Sequence, residues 1–177
     1  MKLALGTVQF GQEYGIANID GKVSENEALS MINLASLSGI DTIDTAIAYG
    51  DSERCLGVIG VSDKKIITKL QSIPLKVLNT QDWIFNQVRD SLNRLNINSI
   101  YGLLLHDPDQ LCSKKGEIIY KSLKKLQSEK IVEKIGISVY EPHQVIDAVK
   151  DYEIDIIQLP FNILDQRFRT SGLMHDL

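Results

Sequence analysis

Ile40-Asp-Thr-Ile-Asp44-Thr-Ala-Ile-Ala-Tyr49-Gly50 decides the fold. Its first five residues form a short apolar run that closes on a carboxylate, and a phenol follows five residues later. The pattern recurs at Ile66-Ile-Thr-Lys69 and at Leu103-Leu-Leu-His106, where the runs close on an amine and an imidazole. Near-continuous apolar runs of this length read as strands buried on both faces. A stretch of helical periodicity separates each run from the next, and repeated strand and helix units imply a parallel sheet. The carboxyl ends of parallel strands are where loops and ligands gather. Asp44, Tyr49, Lys69 and His106 are therefore expected on one rim, a grouping suited to proton transfer.

Outward from these runs, the sequence predicts six strands. They are Leu3 to Val8, Ile40 to Asp44, Lys65 to Lys69, Ile100 to His106, Lys134 to Ser138 and Ile154 to Leu159. Gln9 to Gly21 reads as a loop, rich in Gly, Asn and Asp. Ser24 then caps a helix ended by Gly39, with Glu27 completing a capping box. Further helices are expected over Ser52 to Ile59, Thr80 to Leu95, Lys114 to Glu129 and Pro142 to Asp151, with a sixth beginning near Asp165. No linker or low-complexity tract divides residues 1–177, which read as one domain.

A doubly wound sheet and a barrel both fit this order. Polar groups end nearly every strand rather than one switch point, and no G-x-G-x-x-G loop follows the first strand. Both observations favour a (β/α)₈ TIM-type barrel. Such a barrel typically takes about 250 residues, so an incomplete one is expected, with strands seven and eight absent and an open edge beyond strand six.

The 177 residues are 44% hydrophobic and 24% charged, with a formal charge of −4. That balance supplies no basic field for nucleic acid or for an anionic membrane surface. No apolar run approaches the roughly 18 residues of a membrane helix. Met1 to Leu5 breaks at Gly6 before a signal segment could form, so a cytoplasmic protein is expected. Cys55 and Cys112 fall in no metal or redox spacing and read as reduced thiols; no metal site is expected.

Asp44, Tyr49, Lys69 and His106, in this order and each at a strand end, resemble the catalytic residues of the aldo-keto reductase superfamily. Leu5-Gly-Thr7, Gly136-Ile-Ser138 and Gln158 match it as well, and the resemblance spans essentially the whole chain. It implies reduction of a small aldehyde or ketone by NAD(P)H, with NADP(H) expected over NAD(H). Tyr49 would act as general acid and His106 would orient the carbonyl. An ammonium beside a phenol lowers its pKa, so Lys69 is expected to tune Tyr49, with Asp44 holding Lys69 in place. The resemblance also carries cofactor contacts over to Ser138 and Gln158 at the nicotinamide carboxamide, and to Thr7 and Asp44 near its ribose. Val139 departs from the pattern, because many members have Asn after the fifth-strand Ser.

Taken singly, these residues have structural readings: Asp44 as a cap, Lys69 as a surface amine, Tyr49 as a half-buried aromatic and His106 as a turn partner. Two functional rivals also stand. One is a catalytically silent barrel piece that self-associates through its open edge; the other makes Lys69 a Schiff-base amine. Arg167 and Arg169, near Phe161 and Phe168, read either as helix charges or as an anion site.

Overall fold

Six short strands, β1 (Ala4–Gly6), β2 (Thr42–Asp44), β3 (Lys65–Leu70), β4 (Ile100–Leu105), β5 (Val132–Ser138) and β6 (Ile156–Gln158), form one parallel sheet in chain order. The computed structural model describes residues 2–173. Between the strands lie α1 (Val8–Gly11), α2 (Glu25–Leu37), α3 (Ser52–Ile59), α4 (Thr80–Leu95), α5 (Gly116–Ser128) and α6 (Pro142–Asp151), and α7 (Arg167–Thr170) follows β6. The sheet curls into an incomplete α/β barrel of the TIM type with helices on its outer face.

Residues alternate across each strand, so one set packs outward under the helices. Ile43 and Ile66 join Ala28, Ile32 and Leu56 beneath α2 and α3. Leu103, Leu105, Ile135 and Ile137 join Ile84, Val88, Leu123 and Val145 beneath α4, α5 and α6. The inward set is placed by the register, which pairs Gly6 with Asp44, Asp44 with Ile67, Lys69 with Leu104 and Ser138 with Gln158. The polar members of that set therefore cluster at the carboxyl rim.

The helix starts follow the sequence signals. Ser24 and Glu27 form the expected capping box, and the Asn79 side chain accepts from the Asp82 N–H at the start of α4. The first strand is shorter than expected. Thr7 leaves the sheet and Val8–Gly11 wind into α1, because Phe10 turns inward and is buried with Ala28 and Ile32. The β2 and β6 runs also shorten, and β5 begins two residues early at Val132. The expected sixth helix is a single turn at Arg167–Thr170, and its continuation over residues 174–177 lies outside the described residues.

Arg167 does not present an anion site. Its guanidinium is held by Asp165 at 2.9 and 2.6 Å and also by Glu141, while Arg169 donates to the Gln166 side chain. Cys55 is buried, Cys112 is exposed, and neither forms a disulfide. Among the described residues no helix is long and apolar enough to cross a membrane, and no group of His, Cys, Asp and Glu could hold a metal ion.

Candidate active site

Lys69, at the end of β3, is the best-buried charged group on the rim. Its side chain is 2% exposed against 17% for Asp44. Its ammonium donates to Asp44 Oδ1 at 2.8 Å, to Asp44 Oδ2 at 2.9 Å and to the Thr45 carbonyl at 2.9 Å. Three donors thus meet three acceptors, which is how a buried ammonium escapes a large desolvation penalty. Burial still pulls the Lys69 pKa below its usual value, with Asp44 opposing.

Tyr49 lies over this pair. The ammonium is 5.0 Å from the centre of its ring, and His106 presents an edge to the same ring with centroids 6.0 Å apart and planes at 77°. The four residues singled out in the sequence are therefore brought together. The loop between β2 and α3 sets the position of Tyr49. Gly11 packs so closely against it that a Cβ there would lie 1.6 Å from the Tyr49 carbonyl oxygen. Gly50 then turns the chain with φ +54°, a conformation costly for other residues.

The electrostatics of Tyr49 differ from expectation. Its hydroxyl is pushed up to about 12, first by burial and then by the negative charge of Asp44, with Tyr140 and Tyr14 adding to it. Asp44 neutralises Lys69 at close range, so the ammonium does not offset the burial of the phenol. His106 is lowered, by burial first and by Lys69 second, so the imidazole is neutral at pH 7.

Gln158, on β6, donates from Nε2 to Asp44 Oδ1 at 3.1 Å. Its Oε1 is buried without a hydrogen-bond partner. Unpaired buried acceptors are rare in folded proteins, and this one suits a ligand carrying an N–H donor, such as a primary amide. Ser138, 7% exposed, is its register partner across the rim. Thr7 behaves otherwise than expected. It is fully buried, its hydroxyl donates to the Asp44 carbonyl at 2.9 Å and accepts from Ser52 at 2.9 Å. It ties the end of β1 to β2, and its side chain is buried.

A second buried network escaped sequence analysis. Glu53 on α3 accepts from Thr68, Ser91 and Arg94. Glu53 lies in the first turn of the helix expected over Ser52 to Ile59. The available signal was spacing, since Glu53 shares a helix face with the buried Leu56 three residues on.

Residues 2–175 match the model of the aldo/keto reductase family. The chain belongs to that family. It is 29% identical over 133 residues to the glyoxal reductase of Bacillus subtilis, covering 73% of this chain and 46% of that protein. It is 24% identical over 209 aligned residues to the D-threo-aldose 1-dehydrogenase of a Pseudomonas species, covering 90% of this chain and 60% of that one. The chain thus spans about half the length of the curated relatives it matches. Among solved structures, an aldo-keto reductase of Pseudomonas aeruginosa superposes with a TM-score of 0.78 at 26% identity, over 97% of this chain and 69% of that one. A Bombyx mori aldo-keto reductase in complex with NADP superposes with a TM-score of 0.69 at 20% identity, over 97% and 59% of the two chains, and shows the fold.

Proposed function

We propose that this aldo/keto reductase chain carries the site of a nicotinamide-dependent carbonyl reductase, with Tyr49 as the general acid. The observation that supports it most is the packing of Tyr49 against both Lys69 and His106 on the rim. The bound cofactor would supply hydride. The unpaired Gln158 Oε1 and the neighbouring Ser138 fit its carboxamide, and Asp44 stands beside them.

Reduction leaves negative charge on the carbonyl oxygen, which must be protonated. A phenol near 12 remains fully protonated at neutral pH and is still far more acidic than an alcohol, so transfer to an alkoxide runs downhill. Lys69, held by Asp44 and the Thr45 carbonyl with its ammonium 5.0 Å from the centre of the Tyr49 ring, would stabilise the phenolate left behind. Neutral His106 retains an N–H to donate to the carbonyl oxygen and so fixes which lone pair faces Tyr49.

Glyoxal-type dicarbonyls are the first substrates to try, given the name of one relative. NADP(H) is the cofactor proposed, in keeping with the NADP complex of the Bombyx mori neighbour. The two unpaired thiols fit the cytoplasm as its location. The test is absorbance-monitored NADPH consumption with glyoxal and simple aldehydes. Tyr49→Phe is expected to lower turnover by about 10² or more while fluorescence-monitored NADPH binding is unchanged. Turnover equal to wild type in that variant overturns the assignment.

A second reading is favoured by the sheet edges. Among the described residues β1 and β6 each pair on one side only, and Leu34, Leu37, Ile163 and Leu164 are exposed; in this reading copies of the chain pair through those edges. Sedimentation equilibrium checks it, and a monomer at all concentrations overturns it.

A further inference from the structure

Glu53 is the one acidic side chain fully buried among the described residues, at 1% exposure. A packing position there would take an apolar residue, since burying a carboxylate is unfavourable unless every lone pair finds a donor. Here the donors converge. Thr68 Oγ1 reaches Oε1 at 2.7 Å, Ser91 Oγ reaches the same oxygen at 2.6 Å, and Arg94 Nε reaches Oε2 at 2.9 Å.

The elements joined are telling. Glu53 stands in the first turn of α3, directly after the Tyr49 loop. Thr68 stands on β3 directly before Lys69. Ser91 and Arg94 belong to α4, which carries no residue of the rim site. The main chain of the Tyr49 loop meets the end of β3 through the Ile47 N–H, which reaches the Lys69 carbonyl at 3.2 Å. Thr45 adds two further bonds between that loop and β3, its N–H to the Ile67 carbonyl at 2.8 Å and its carbonyl from the Lys69 ammonium at 2.9 Å, while the Glu53–Thr68 bond ties the helix after the loop to the same strand. Movement of α3 along β3 would alter the 5.0 Å spacing of the Lys69 ammonium and the Tyr49 ring.

We propose that Glu53 is a positioning residue for the Tyr49 and Lys69 pair: through Thr68 it fixes the helix that follows the Tyr49 loop against the strand that carries Lys69. The proposal rests on the proton-donating role assigned to Tyr49 above. It does not place Glu53 in contact with substrate or cofactor.

The test compares two variants that each delete one hydrogen bond to the same carboxylate oxygen. Thr68→Val cuts the tether to β3 while keeping volume and β-branching. Ser91→Ala cuts the adjacent bond to α4, so a general loosening of Glu53 affects both variants alike. For NADPH-dependent aldehyde reduction, Thr68→Val is expected to lower kcat about tenfold with little change in KM, while Ser91→Ala keeps wild-type kcat. An NMR titration of the His106 imidazole provides a readout that needs no turnover. Thr68→Val moves that titration up toward the ordinary histidine range as the site loosens and Lys69 shifts, and Ser91→Ala leaves it in place. If the wild-type chain reduces no carbonyl yet the His106 titration separates the variants, positioning stands and carbonyl reduction falls. Equal effects of the two variants in both readouts, or a larger effect from Ser91→Ala, overturn the proposal.

Discussion

Lys69 and Asp44 form a two-pronged ion pair, at 2.8 and 2.9 Å, in which the ammonium is the more deeply buried partner. That asymmetry predicts an order of damage. Asp44→Asn leaves a buried ammonium without an opposite charge and is expected to cost about 3 kcal/mol of stability. Lys69→Met leaves a carboxylate that water and Gln158 still reach, and is expected to cost less. Urea denaturation midpoints of the two variants check this. A smaller loss for Asp44→Asn than for Lys69→Met would show that the pair is held by something other than the burial of Lys69.

The pH dependence of turnover tests the direction of the Tyr49 shift. With the phenol near 12, its acid form persists through neutral pH, so carbonyl reduction is expected to be flat from about pH 7 to about pH 9. Alcohol oxidation needs the phenolate and is expected to rise about tenfold per pH unit across the same range. Had Lys69 tuned Tyr49 downward, as the sequence led one to expect, reduction would bend within that window. Steady-state kcat in both directions distinguishes the two.

What the sequence disclosed and what it hid follow from range. Buried strands in a parallel sheet are apolar on both faces, so a polar residue closing such a run stands out. Asp44, Lys69 and His106 were legible for that reason, and they do meet. Tyr49 was placed by its spacing from Asp44, yet the sign of its pKa shift was not legible. That sign depends on how deeply the phenol is buried and on how fully Asp44 neutralises Lys69, and a sequence that suggests the Asp44 and Lys69 pair shows neither. Thr7 was assigned to a ligand, though it is consumed by Ser52, 45 residues on. Val8–Gly11 read as strand end and loop because the burial of Phe10 against α2, which winds them into α1, is a tertiary effect.

Gln158 links the rim to its ligand side. Its Nε2 is committed to Asp44 at 3.1 Å while Oε1 is buried and unpaired. Replacing it with Met keeps the length of the side chain and removes the orphaned oxygen. Stability is expected to change little, because one hydrogen bond is lost and one unsatisfied acceptor is relieved. NADPH affinity is expected to weaken about tenfold, the effect of one lost hydrogen bond to a ligand amide. Fluorescence titration measures the second effect and thermal melting the first. Unchanged NADPH affinity in Gln158→Met removes Gln158 from the cofactor site.

Gly11 shows how far the site depends on backbone approach alone. A Cβ at this position would lie 1.6 Å from the Tyr49 carbonyl oxygen and 2.6 Å from the Ser52 nitrogen, both backbone atoms that no rotamer change can move. Gly11→Ala must therefore displace either α1 or the Tyr49 loop. Displacing the loop breaks the bond from the Ser52 N–H to the Tyr49 carbonyl, 3.0 Å long, that starts α3. A loss of about 2 to 4 kcal/mol is expected, together with a turnover loss of about 10² from misplacing the Tyr49 hydroxyl by an ångström or so. Gly39→Ala is the control, since Gly39 has φ +76° and no atom within 4 Å of its added Cβ. It carries backbone strain without steric overlap, and is expected to lower the melting temperature while leaving kcat near wild type. If Gly11→Ala retains wild-type kcat in its folded fraction, the Tyr49 loop is not held by Gly11 and the proton donor is positioned from the β3 side alone.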